Sequence, residues 1–163
     1  MQNKRDELFT KMVLDAWFSK LKRADELFSV LSDENLEDET SKGKNRGIYL
    51  LGHLTAVHDA MLPLLGFGEA LYPEFYDMFV TKPDRAVANL PTMTILRNSW
   101  HKVMEKLVTS CNSLTANEWF EKHNSVSEID FNKEPHRNKL NVIISRTNHL
   151  DYHLGQLILL KKV

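Results

Sequence analysis

Apolar residues recur at intervals of three and four along most of this chain, and four long stretches with that spacing predict four amphipathic helices. In the first, over 5–31, Val13, Trp17, Leu21, Ala24, Phe28 and Leu31 share one face, with charged residues opposite. A polar run over 32–45 ends it, and a second helix is expected over 46–65 with Leu50, His53, Leu54, Val57, Met61 and Leu64 on its inner face. Residues 66–91 hold two glycines and three prolines and read as a long crossover in which only 74–79 can form a short helix. A third helix follows over 93–114, with Thr92 as N-cap and Leu96, Trp100, Val103, Leu107 and Leu114 inward. After a short turn at 116–121 and an irregular polar stretch over 122–138, the last helix runs over 139–162. It carries Ile143, Leu150, Leu154 and Leu157 on one face and two lysines, Lys161 and Lys162, at its end.

Strand-like alternation and internal repeats are both absent, so the expected fold is all-α, a four-helix bundle forming one domain over 1–163. The two long connections argue against plain up-down-up-down wiring and predict at least one parallel helix pair.

A chain of 163 residues buries a sufficient core without disulfides or structural metals. Its formal net charge of -1 lacks the basic asymmetry that a phosphate backbone selects, which excludes nucleic acid as the expected partner. The single cysteine, Cys111, has no intrachain partner, and no flanking group lowers its pKa, so a buried neutral thiol is expected rather than a nucleophile. The polar start MQNKRDELF and the lack of an unbroken apolar run of about 18 residues point to a soluble cytoplasmic protein without a membrane span.

The candidate chemistry lies in the histidines. His149 and His153 stand four residues apart, about 40° apart around one helix, so both rings can reach one ion. His53 occupies a position that periodicity assigns to the core, where an unpartnered imidazole costs about 1 to 3 kcal/mol. It therefore needs either a metal or a hydrogen bond, to a backbone carbonyl or to a side chain such as Tyr49. His58 competes for the same role but lies about 140° around the helix from His53, flanking the core. His101 is expected at a boundary, and His123 and His136 in solvated loops. No histidine follows a glutamate by three residues, which removes the Glu-x-x-His motifs of di-iron bundles, and His-Glu-x-x-His is missing too.

Leu51-Gly52-His53-Leu54, together with His149-Leu150-Asp151-Tyr152-His153-Leu154-Gly155-Gln156-Leu157, resembles the DinB-like metal-binding bundles, also called YfiT-like metal-dependent hydrolases. The likeness extends to a tryptophan-bearing first helix, the turn Leu31-Ser32-Asp33-Glu34-Asn35-Leu36 and a proline-rich crossover. It implies up-down-down-up wiring, a metal site of His53, His149 and His153, and a homodimer. Some members of that family transfer a low-molecular-weight thiol to an electrophile, and others are labelled hydrolases.

Three neutral imidazoles leave a divalent ion's charge uncompensated and favour an anionic fourth ligand, either hydroxide or the thiolate of a small-molecule substrate. Imidazole suits both zinc and nickel. Arg146, one turn before His149, is a candidate clamp for an anionic group on the thiol or substrate, and Gln156, one turn after His153, a candidate donor behind the ligands. The rival reading is a non-catalytic dimeric bundle whose histidines serve structure or metal storage.

Overall fold

The computed structural model describes residues 2–161. The chain is all-helical, and among the described residues the only β-type pairings are two isolated bridges, Glu39 with Arg46 and Lys122 with Asn138. The helices are α1 (Gln2–Val30), α2 (Asp33–Glu37), α3 (Gly47–Asp59), α4 (Met61–Leu65), α5 (Glu74–Tyr76), α6 (Met93–Ser113), α7 (Ala116–Trp119), α8 (Glu128–Lys133) and α9 (Lys139–Leu157). A π-helical turn, Asp77–Thr81, continues α5, and a 3-10 turn, Ile158–Leu160, continues α9.

Local chemistry explains the boundaries. Thr92 caps α6 as expected, its hydroxyl accepting from the Ile95 N–H. The stretch expected as one second helix is divided between α3 and α4, because Pro63 offers no N–H to the Asp59 carbonyl one turn back and its ring crowds that oxygen. Two short helices lie where only irregular chain was expected. Ser32 and Asn35 form a reciprocal cap that starts α2, and the Ser127 hydroxyl accepts from the Asp130 N–H to start α8. The last helix stops short of the expected bound: Lys161 follows the 3-10 turn, and Lys162 lies outside the described residues.

The core is built around Trp17, Trp100 and Trp119, all fully buried. Helix α1 packs most extensively on α9, α3 packs on α6, and α3 also meets α9. Phe9, Met12 and Ala16 border Ile144 and Asn148; Lys20 pairs with Asp151 at 2.9 Å; Arg23 and Val30 border Leu154 and Lys161. Asp25 accepts from Trp100 Nε1 at 2.5 Å, and Arg97 donates to the carbonyls of Phe28 and Leu31, which ties the end of α1 to the start of α6.

Helix α3 is enclosed on every side but that of His53. The stretch Gly47–Leu65 is long and apolar enough by composition to cross a membrane, yet 78% of its most apolar window is buried inside the protein. Its apolarity serves the core. Every residue of α3 is buried except His53. The crossover that follows is fastened at both ends. The buried Asp59 carboxylate accepts from the N–H groups of Leu71 and Tyr72 at 2.8 and 2.7 Å, and Asp84 takes both the Arg46 N–H and its guanidinium. Between these anchors Phe75 and Phe79 are buried in the core, and Phe79 packs on α3.

Candidate metal centre

His53 reaches the surface from an otherwise buried helix because the chain opposite it is α9, which presents His149 and His153 one turn apart. One nitrogen from each ring lies within 4.8 Å of the other two. His149 Nε2 is 3.1 Å from His53 Nε2 and 3.2 Å from His153 Nε2. A tetrahedral ion with metal–nitrogen bonds of about 2.0–2.1 Å sets its ligand nitrogens about 3.3 Å apart. The ring planes cross at 59°, 70° and 83°, so the three imidazoles meet edge to edge at one point rather than stacking.

The outer nitrogens fix which way the lone pairs point. His53 Nδ1 donates to the Phe79 carbonyl at 2.8 Å, and His153 Nδ1 donates to Gln156 Oε1 at 2.7 Å. Each neutral ring then carries its proton on Nδ1 and turns a bare Nε2 inward. His149 Nε2 can supply at most one proton between two such acceptors, while its own Nδ1 is buried without a partner. Converging lone pairs with too few protons suit a cation.

The electrostatics point the same way. Burial lowers the pKa of His53 and of His153, and it pushes His149 down to about 4, with the neighbouring His153 and His53 adding to the effect. The three rings are therefore neutral near pH 7, the form that ligates.

His53, His149 and His153 thus come together, and His53 bonds a backbone carbonyl with one nitrogen and faces the other two rings with the second. Tyr49 is not its hydrogen-bond partner: its ring stacks on His53 while its hydroxyl donates to the Lys82 carbonyl. Gln156 is where it was expected but accepts from His153 rather than donating to it, because a ring that turns Nε2 inward must present a proton on Nδ1. Its amide nitrogen donates instead to the Tyr152 hydroxyl at 3.3 Å. Arg146 is half-buried beside the triad, with its Nε sealed from solvent and no hydrogen bond or ion pair among the described residues.

His58 departs from its expected place at the edge of the core. It is 0% exposed, stacked on Trp17 and edge-on to Trp100, with Nδ1 donating to the Leu54 carbonyl at 2.8 Å. His101 is exposed rather than at a boundary, His136 is exposed, and His123 is partly buried with an unpartnered Nδ1. Burial pushes the Cys111 thiol up to about 12, which makes it inert. Sequence reasoning missed the Phe79 carbonyl, supplied by the π-helical turn. The available signal was Gly52, the residue before His53: a Cβ there would overlap the Phe79 ring, so glycine allows that turn to close on α3.

A surface cavity of about 560 Å³ lies elsewhere and includes none of the three histidines. Its Glu121 and Glu128 are paired with Lys139 and Lys122, leaving no converging unsatisfied groups. No family model matches the chain, and no curated protein matches it.

Proposed function

We propose that this protein is a metal-dependent enzyme of the DinB-like kind, in which His53, His149 and His153 hold one divalent ion, zinc or nickel. The reading rests on a single observation, the convergence of three Nε2 atoms, with the His53 and His153 rings locked by acceptors on the far side. An ion held by three imidazoles lowers the pKa of a bound water toward about 7 or holds a small thiol as its thiolate. Transfer of a low-molecular-weight thiol to an electrophile is the activity we assign first, and hydrolysis is the second use of the same centre.

The protein's own groups orient and shield. The Phe79 carbonyl and Gln156 fix two of the three rings, and the exposed Tyr152 ring lies edge-on against His153. The same reading takes the four long helices as a bundle wired up-down-down-up; the common direction in which residues of α1 and α9 meet supports it. We place the protein in the cytoplasm, where a lone reduced cysteine is at home.

Elemental analysis of untagged protein tests the centre. About one zinc or nickel per chain is expected in the wild type, and none in His53→Ala or His149→Ala purified alongside it. A folded wild type that stays metal-free after incubation with both ions would overturn the proposal.

A further inference from the structure

Arg146 is a cation beside the triad, and its place is unusual for a guanidinium. It stands one turn before His149 on the same side of α9. It is partly buried, its Nε has no access to solvent, and among the described residues neither that atom nor the rest of the side chain has a hydrogen-bond or ion-pair partner. Among the described residues no aspartate or glutamate pairs with Arg146, and the other side chains of the site, His53, His149, His153 and His58, are neutral imidazoles.

A permanent cation drawn partly out of water without a counter-charge is the arrangement of a receptor rather than of a structural pair. We propose that Arg146 forms an anion subsite for the substrate, and that the substrate is a small thiol bearing a carboxylate. The inference rests on the three-histidine centre proposed above and adds the identity of the second group on the same molecule. A single planar fork matches one planar monoanion, whereas a phosphate would call on more donors than the fork supplies.

The test uses the whole protein loaded with cobalt(II) in place of the native ion and needs no turnover. The thiolate-to-cobalt absorption band is titrated with 3-mercaptopropionate and with its methyl ester, in the wild type, Arg146→Gln and Arg146→Lys, each checked for native helicity by circular dichroism. The acid is expected to bind the wild type about tenfold or more tightly than the ester, as a charge-assisted, partly desolvated pair should. In Arg146→Gln that preference is expected to fall to within about twofold, and in Arg146→Lys to recover in part, since the charge returns without the fork. Equal affinities for acid and ester in the wild type would overturn the subsite, a comparison that holds even where a variant does not fold. A preference that persists in Arg146→Gln would overturn it too, because the carboxylate would then be binding the metal itself. A protein that gives no cobalt spectrum overturns the metal centre and, with it, this inference.

Discussion

Complete burial leaves the His58 ring no water with which to share a proton. One nitrogen donates to the Leu54 carbonyl, the other is sealed without a partner, and Trp17 and Trp100 cover the ring. Burial pushes its pKa from 6.5 down to about 3, and the nearby Arg146, His149 and His53 work in the same direction. In the unfolded chain the ring takes up a proton near pH 6.5; in the folded protein it does not until about pH 3. Between those limits the unfolded state binds more protons, so His58 favours folding fully above that range and progressively less as pH falls through it. For the metal-free protein, urea denaturation at pH 5, 5.5 and 6 is expected to show stability falling with pH. In His58→Phe that slope should be shallower by one proton, about 1.4 kcal/mol per pH unit. Identical slopes in the two proteins would mean that His58 is not held neutral by the fold.

The long helices were legible in the sequence because each spans several turns and repeats its apolar face. Helices α2 and α8 have five and six residues, too few for any period to emerge, and only their serine caps announce them. Helix α3 misled in another way. It has no solvent face, so a stripe cannot be distinguished from its surroundings, and the ranking of His53 as inward and His58 as flanking came out with their burial reversed. The choice of His53 as the residue facing α9 still agrees with the structure, since His58 turns into the tryptophans. Half of the support for His53 was beyond reach, because a backbone carbonyl has no letter in the sequence. That support depends on Gly52, where a methyl group would push the Phe79 ring, and the π-helical turn carrying the Phe79 carbonyl, away from α3. Gly52→Ala changes no ligand, yet it is expected to weaken metal binding about 10- to 100-fold, the usual cost of losing a bond behind a ligating histidine. It should also cost about 1 to 3 kcal/mol through overpacking. Competition against a chromophoric chelator measures the first effect and thermal melting the second. Unchanged affinity would show that Phe79 does not orient His53.

The three histidines join only α3 and α9, 96 residues apart, whereas the contacts that hold those helices in place run through the whole molecule. Trp17 and Trp100 pack α1 and α6 around His58, Asp59 and Asp84 fasten the crossover, and Arg97 ties α6 to the end of α1. None of these contacts passes through the metal centre. A chain of this length buries enough surface to fold by its core alone, unlike small zinc modules that unfold when stripped. Removing the ion should therefore subtract only its binding contribution, about 2.7 kcal/mol where free metal stands at 100 times its dissociation constant. For a domain of this size that corresponds to a fall in Tm of about 5–10 °C. Circular dichroism at 25 °C before and after chelation is expected to show the same helix content, with the melting curve shifted by that amount. Loss of helix on chelation would mark the histidines as a structural clamp and favour the non-catalytic reading. Retention of the fold with a lowered Tm is what a working centre requires, because an ion that reacts with substrate must be able to change its ligands without releasing the helices that hold it.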